Sequence, residues 1–68
     1  MKVKKLIKKV SNKTMIGFYN PLDEFCGNFT TDNVPLMLYE RRIKYIWTGV
    51  VKVNDHEQPK INITLKGE

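Results

Sequence analysis

The sequence predicts a small α+β domain with the element order α-β-β-α-β-β. Apolar residues near the start of the chain recur at helical spacing. From residue 43 onward the apolar period changes to two, which is typical of β-strands. A chain of 68 residues can form one domain and no more, so residues 1–68 are assigned to a single domain. These features favour an antiparallel sheet of about four strands with both helices packed on one face.

A short basic helix is the first predicted element. Its apolar residues follow the i, i+3, i+4, i+7 pattern of a one-sided helix, and they are Val3, Leu6, Ile7 and Val10. Lysines occupy the opposite half of the helix surface, and they are Lys2, Lys4, Lys5, Lys8 and Lys9. We expect the helix to end at Ser11, with Asn12 in the left-handed conformation that closes many helices.

A β-hairpin is predicted next, with strands at residues 14–19 and 25–30. The connection at residues 20–23 contains Asn, Pro and Asp, which favour turns. Because side chains alternate along a strand, Phe25 and Phe29 are expected to share one face of the second strand.

A short second helix and a final strand are predicted from two further patterns. Pro35 suits the first position of a helix, where its missing N–H costs nothing, so a helix is expected from Pro35 to about Glu40. Residues 54–59 are polar and predict a loop. Residues 60–66 then alternate as a strand, and the inward positions are Ile61, Ile63 and Leu65.

A third strand is predicted from Ile43 to Val53, with Gly49 marking a bulge. One of its faces carries Ile43, Tyr45, Trp47, Val51 and Val53. Stacking of bases on Tyr45 and Trp47 would require that face to be open. The aliphatic residues beside them instead favour a core role. Ile46 and Val50 fall on the other face, beside Lys44 and Lys52, where exposed aliphatics would suit a protein contact.

The net charge of +5 is concentrated at one end of the chain. Residues 1–13 contain six lysines and no acid, whereas the other 55 residues contain six basic and seven acidic side chains. The body of the protein is therefore close to neutral. This distribution is unlike that of an acidic DNA mimic or of an evenly basic histone-type protein.

Residues that could support catalysis are sparse. Cys26 is the one cysteine and His56 the one histidine, and we expect Cys26 to be buried and inert. Residues 55–57 are adjacent in a loop, so their side chains do not converge as metal ligands do. Asp23 and Glu24 form the one adjacent acidic pair, and no glycine-rich phosphate-binding motif is present. The sequence thus predicts a non-enzymatic protein without a metal, a cofactor or a small-molecule substrate.

The lysine-rich helix is the most informative feature for function. An ordinary solvated surface would explain it, yet a stable solvated helix would interleave acids. Lys4 with Lys8 and Lys5 with Lys9 are like-charge pairs one turn apart, and they repel. Departures from local stability often mark interaction sites. The predicted partner-binding residues are Lys2, Lys4, Lys5, Lys8, Lys9, Lys44 and Lys52.

Three negatively charged partners are compatible with these lysines. A membrane ranks last, because the apolar stripe is short and aliphatic and is needed for the core. Nucleic acid would accept lysines as phosphate contacts. An acidic protein surface, or a host nucleoprotein, is favoured. A virion structural or assembly role is a further alternative, and the oligomeric state is left open. No secretory signal and no apolar run of roughly 18 residues is present, so the cytoplasm is the expected location.

The layout resembles small proteins encoded by phages and prophages of Gram-positive bacteria. The residues that carry the resemblance are Met1, Val3, Leu6 and Ile7, then Val34-Pro35-Leu36-Met37-Leu38, then Arg42-Ile43. The resemblance implies an accessory protein of a mobile element, located in the bacterial host cell. Such proteins often bind a host or defence component, as anti-CRISPR inhibitors do. The unbroken lysine face departs from that group, whose first helix carries acids.

Overall fold

A computed structural model describes residues 1–67 and contains one short helix and a four-stranded mixed sheet. The α+β class is therefore confirmed. The elements are α1 (Val3–Lys9), β1 (Met15–Tyr19), β2 (Phe25–Thr30), β3 (Ile43–Val53) and β4 (His56–Leu65). Within residues 1–67, no helix has the length and apolarity needed to cross a membrane.

The strands lie in the order β2-β1-β4-β3, with β2 and β3 at the edges. β1 pairs antiparallel with β2 but parallel with β4, and β4 pairs antiparallel with β3. The prediction of an antiparallel sheet was therefore wrong. β1 and β4 are the two inner strands, and both carry fully buried apolar residues, Ile16 and Phe18 on β1 and Ile63 on β4. The chain must then cross to the far edge for β3 before β4 can return beside β1.

The predicted second helix is only a 3₁₀ turn at Leu36–Leu38. The backbone carbonyls that follow this turn accept hydrogen bonds from the start of α1 instead. The carbonyls of Tyr39 and Arg41 accept hydrogen bonds from the first two N–H groups of α1, on Lys4 and Val3, both at 3.0 Å. Because α1 has no side-chain cap at its start, these carbonyls satisfy amides that would otherwise lack partners.

The hydrophobic core lies between α1 and one face of the sheet. Its buried members are Val3, Leu6, Ile16, Phe18, Val34, Ile63 and Leu65. Ile7 and Val10 pack against this cluster, so the apolar stripe of the helix points inward as predicted. The helix ends at Lys9, and Val10 is extended. Asn12 does not adopt the left-handed conformation, so the predicted cap was wrong.

A bulge in β2 moves Phe25 to the side of the sheet opposite Phe29. Tyr19 pairs with Phe25, although one position earlier β1 pairs with Gly27, so Cys26 is an extra residue. The φ angle of 152° at Gly27 suits a residue without a side chain. Phe29 packs on the core and Phe25 does not, contrary to the prediction of a shared face. Cys26 is exposed rather than buried.

A second bulge, at Lys44, has the same effect in β3. Ile43 pairs with a core residue of β4, whereas Tyr45 pairs with the next residue along on the other face. Tyr45 and Trp47 therefore lie on the side of the sheet that faces away from α1, and Ile43 packs on the core. Of the predicted common face, Tyr45, Trp47, Val51 and Val53 do share one side of the sheet, and only Ile43 lies on the other. The predicted core role of the two aromatic residues was wrong. No register shift occurs at Gly49.

The hairpin of β3 and β4 is longer than predicted. Asn54 and Asp55 form its turn with φ angles of 51° and 64°, the left-handed values that tight hairpin turns require. β4 therefore begins at His56, and the predicted loop over residues 54–59 was wrong. Ile46 and Val50 are exposed as expected, with 44% and 63% of their surface accessible. They lie on the side that carries α1 but outside the area that the helix covers.

Hydrogen bonds from Thr31 stabilise the segment that joins α1 to β1. The buried hydroxyl of Thr31 donates to the backbone carbonyls of Ser11 and Asn12. Thr31→Val keeps the shape but removes the donor, so we expect the free energy of unfolding to fall by about 1 kcal/mol in urea denaturation. Thr48→Val is the matched control, because Thr48 is exposed and makes no side-chain hydrogen bond within residues 1–67. Equal midpoints for the two variants would contradict this role of Thr31.

Candidate functional site

The side chains best placed to contact a ligand or a partner form two surfaces on opposite sides of the sheet. The first is the lysine patch, which we define as Lys5, Lys8 and Lys9 on the exposed side of α1. The second is the aromatic face, the side of the sheet turned away from α1. Its rings belong to Tyr19, Phe25, Tyr45 and Trp47. The sheet separates the two surfaces.

Two of the lysines predicted as partner contacts are engaged within the protein. The Nζ atoms of Lys2 and Lys4 lie 2.8 and 2.6 Å from the two carboxylate oxygens of Glu40. Both pairs are largely exposed, so they contribute little to stability. The single carboxylate offsets one of the two positive charges and contacts both ammonium groups at the start of α1. Glu40 is 36 residues beyond Lys4, and its approach depends on the tertiary fold.

Glu40 is held in its ionised form by this arrangement. Hydrogen bonds from Lys2, and next from Lys4, lower the pKa of its carboxyl from 4.5 to about 2. The folded state therefore binds this proton less readily than the unfolded chain. The resulting stabilisation is fully present above pH 4.5 and is lost as the pH falls toward 2.

Glu40→Gln should flatten this part of the stability–pH profile. We expect the melting temperature of the wild type to fall more steeply than that of the variant as the pH is lowered from 4.5 to about 2. Circular dichroism melts across this range measure the difference. Glu57→Gln is the control, because Glu57 is exposed and forms no ion pair within residues 1–67, so it should follow the wild type. Parallel profiles for Glu40→Gln and wild type would argue against the ion pairs.

The three lysines of the lysine patch have no such partner. Lys5, Lys8 and Lys9 are exposed, and no carboxylate of residues 1–67 lies within 4.0 Å of their ammonium groups. The other two predicted contact residues lie elsewhere. Lys44 is at one end of the aromatic face, and Lys52 is on the hairpin arm. The seven predicted lysines therefore do not form one surface.

The aromatic face is a continuous row of rings that crosses the sheet. The ring centroids of Phe25 and Tyr19 are 5.4 Å apart, those of Tyr19 and Trp47 are 4.9 Å apart, and those of Trp47 and Tyr45 are 5.5 Å apart. Phe25 and Tyr45, at the two ends, are 54% and 43% exposed. Sequence reasoning missed this row because no local signal reveals the two bulges that bring these residues to one face.

A lysine lies at each end of the row. The Nζ atom of Lys60 is 5.3 Å from the ring centroid of Phe25, and the Nζ atom of Lys44 is 5.8 Å from that of Tyr45. Lys60 also donates a hydrogen bond of 3.1 Å to the side-chain oxygen of Asn28. Cations at such distances over aromatic rings are weakly attracted to them. The aromatic face therefore carries positive charge at both ends.

Asn62 lies in the middle of the aromatic face. It pairs with Gly17 on β1 and with Trp47 on β3. The nitrogen of its amide approaches Gly49, and the oxygen approaches Gly17, so closely that a Cβ atom at either glycine would lie 2.6 Å from the amide. The residue is only 3% exposed, and its Oδ1 has no hydrogen-bond partner within residues 1–67. Such unpaired buried polar groups are rare in native proteins.

An acidic side chain, that of Asp23, lies at the Tyr45 end of the aromatic face. The Oδ1 atom of Asp23 accepts hydrogen bonds from the hydroxyls of Tyr45, at 2.5 Å, and Thr64, at 3.1 Å. The bond from Tyr45, and next that from Thr64, lower the pKa of the Asp23 carboxyl. The same bond to Asp23 raises the pKa of the Tyr45 hydroxyl. Asp23 therefore places a fixed negative charge beside Tyr45 at neutral pH.

Within residues 1–67, no group of three or more His, Cys, Asp or Glu side chains is placed to hold a metal ion. A groove of about 430 Å³ runs between the hairpin arm and the segment that joins α1 to β1, and its charged lining residues are Lys13 and Lys60.

Comparison of the chain with protein-family models, with curated proteins and with solved structures finds no match.

Proposed function

We propose that this chain is a non-enzymatic accessory protein that binds an acidic surface of a host nucleoprotein and inhibits or modulates it. The lysine patch supplies the electrostatic contact. The observation that carries the proposal is that Lys5, Lys8 and Lys9 are exposed without a carboxylate partner among residues 1–67, whereas Glu40 pairs with two other lysines of the same segment.

The lysine patch is compact enough to recognise a cluster of negative charges. Lys5 and Lys9 are one turn apart, so their backbone positions are separated by about 6 Å along the helix, and Lys8 lies beside them. Each like-charge pair opposes helix formation by a few tenths of a kcal/mol. A negatively charged partner relieves this repulsion and gains attraction to all three ammonium groups.

The mobile-element part of the proposal rests on the resemblance to phage and prophage proteins. An accessory protein of that kind acts in the cytoplasm of the bacterial host, where the nucleoproteins of defence systems are found. Inhibition by occlusion needs only a tight contact, and it requires no catalytic residue. An anti-CRISPR-like inhibitor fits this description.

A pull-down from a Gram-positive bacterial lysate tests the proposal. The bait is the full chain, compared with a triple variant that carries Lys5→Glu, Lys8→Glu and Lys9→Glu. The triple variant should lose a partner that the wild type recovers, because three attractive contacts become repulsive. The matched control carries Lys13→Glu and Lys66→Glu, at exposed lysines outside α1 that were not predicted as contacts. It should retain the partner, and equal recovery by the triple variant and this control would contradict the proposal.

Glu40→Gln offers a test in the opposite direction. The substitution releases the ammonium groups of Lys2 and Lys4 beside the lysine patch. We therefore expect the variant to bind the recovered partner more tightly than the wild type at low salt, and the difference to shrink as salt is added. Titration calorimetry at two salt concentrations measures both effects. An unchanged affinity at low salt would count against an electrostatic contact at the start of the chain.

Direct contact of the lysine patch with nucleic acid is the second candidate, because phosphates would be attracted to the same three unpaired ammonium groups. Three phosphate contacts predict a log–log slope of affinity against salt of about −3 for duplex DNA. Fluorescence anisotropy with a labelled duplex measures this slope. Absence of binding at low salt would eliminate the second candidate.

A further inference from the structure

We propose that the aromatic face is a separate binding site that stacks the bases of single-stranded nucleic acid. This site lies on the other side of the sheet from the lysine patch, and it does not depend on the function proposed for those lysines. Its central residues are Trp47 and Tyr19, with Lys60 as the phosphate contact and Asn62 as the polar contact to a base.

The row of rings provides the stacking surface. Tyr19 and Trp47 are neighbours near the middle of the row, with ring centroids 4.9 Å apart, and the exposed rings of Phe25 and Tyr45 extend the row on either side. Every base presents a flat π-surface, so aromatic side chains on an open sheet bind single strands with little sequence preference. Comparable sheets stack about two or three bases. A duplex cannot use such a surface, because its bases are already stacked on one another.

The polar groups among the rings favour nucleic acid over a protein partner. The floor of the aromatic face is formed by an amide and a hydroxyl, those of Asn62 and Thr64, and by the backbone of Gly17. Lys60 and Lys44 add positive charge at the two ends. Aromatic rings with an ammonium group at each end and an amide beneath them match a ligand that combines bases with phosphates. A protein contact would be expected to use aliphatic side chains among the rings, whereas Val51 and Val53, which share this side of the sheet, lie beyond the row on the hairpin arm.

Asn62 supplies an independent reason to expect a ligand. Its amide is 97% buried, and its oxygen is unpartnered within residues 1–67. The side chain of Lys60 lies beside the amide, because its Cε and Nζ atoms are near Gly49 and Gly17, the two glycines that the amide also approaches. Lysine side chains are flexible, so a strand that draws the ammonium group of Lys60 to its phosphate would leave the amide more open to a base. An asparagine amide offers a donor and an acceptor, which can pair with the edge of an unpaired base.

The charges also set the direction in which phosphates lie. The carboxylate of Asp23 is fixed against the hydroxyls of Tyr45 and Thr64, so it offsets the positive charge of Lys44 at the Tyr45 end. Lys60 lies at the Phe25 end, where Asn28 orients it. The phosphate backbone of a bound strand therefore passes along the Phe25 end, with its bases directed over Tyr19 and Trp47.

Trp47 is the only tryptophan, so its fluorescence reports on this site alone. The experiment titrates the full chain at low salt with an oligothymidylate of about 12 nucleotides, a length within the range that single-strand binders cover. We expect saturable quenching of the Trp47 emission and a matching rise in the anisotropy of a labelled strand. A duplex of the same length should not quench. Binding without quenching, or equal quenching by the duplex, would overturn the proposal.

Matched variants separate this site from the lysine patch. Tyr19→Ala should weaken single-strand binding about tenfold or more, whereas Val50→Ala, at an exposed residue on the other side of the sheet, should stay close to wild type in anisotropy. Asn62→Leu should weaken binding while the fold, checked by circular dichroism, is kept. The triple lysine-patch variant should still show quenching, so failure of the function proposed above leaves this result intact. Wild-type affinity in both Tyr19→Ala and Asn62→Leu would exclude the site.

Light scattering provides a separate test. A dimer that is insensitive to the oligonucleotide would assign the aromatic face to self-association instead, and would also overturn the proposal.

Discussion

Phe18→Ala is expected to leave most of the protein unfolded at room temperature. Phe18 is fully buried at the centre of the core, where its ring centroid is 6.0 Å from that of Phe29. Truncation of a buried phenylalanine to alanine costs about 3–5 kcal/mol, because apolar contacts are lost and a cavity is left. A single core in a domain of this size supplies only about 3–5 kcal/mol of stability. The expected loss in the free energy of unfolding is therefore comparable to the total stability of the domain.

Far-UV circular dichroism and urea denaturation measure this effect. The control is Met37→Ala, which truncates an apolar side chain that is 82% exposed, and its unfolding midpoint should match the wild type. A cooperative transition for Phe18→Ala with a midpoint close to that of Met37→Ala would show that the core is not centred on Phe18.

Asn62→Leu is expected to act in the opposite direction and to stabilise the domain by about 2 kcal/mol. An unpartnered buried polar atom costs about 1–3 kcal/mol, and leucine has a similar size and no polar atom. The amide is buried among the aromatic rings and two glycines, so the leucine side chain would gain apolar burial as well. The substitution that should weaken binding to the aromatic face should thus strengthen the fold.

Thr64→Val provides the contrast. Thr64 is as deeply buried as its neighbour Asn62, but its hydroxyl donates to Asp23. Loss of that hydrogen bond should lower the free energy of unfolding by about 1 kcal/mol. Urea denaturation of both variants measures the two signs. If Asn62→Leu is destabilised like Thr64→Val, the asparagine has a structural role, and the argument from its unpaired oxygen is lost.

Much of the secondary structure could be predicted from apolar periodicity. The strand over residues 25–30 and the bounds of the third strand at Ile43 and Val53 match the structure. The inward stripe of the first helix matches as well, because three or four apolar residues at helical spacing leave little choice of buried face. Local pattern is sufficient where one face of an element is much more apolar than the other.

The prediction failed where one extra residue reverses a face. Cys26 and Lys44 are the extra residues of the two bulges, and each shifts the side chains beyond it to the other side of the sheet. Nothing in the local sequence distinguishes these positions from ordinary strand residues. Tyr45 and Trp47 were for that reason predicted to lie in the core, and the aromatic face could not be anticipated.

Contacts between distant segments also could not be predicted from local sequence patterns. The pairing of Glu40 with Lys2 and Lys4 joins segments about half the chain apart, and it divides the predicted lysine face into lysines that share a carboxylate and lysines that do not. The parallel pairing of β1 with β4 is another example, since each strand alone is compatible with either direction. The role of the lysine patch remains a prediction that the pull-down tests.

The central position of β4 has a consequence for how the protein folds in the cell. Residues 56–65 are synthesised late, yet they contribute Ile63 and Leu65 to the core and lie between β1 and β3. Until they are available, α1 and the first hairpin lack the part of the core that Ile63 and Leu65 supply. We therefore expect stable folding to require β4, and the chain to remain open to chaperones until residues 56–65 have emerged from the ribosome.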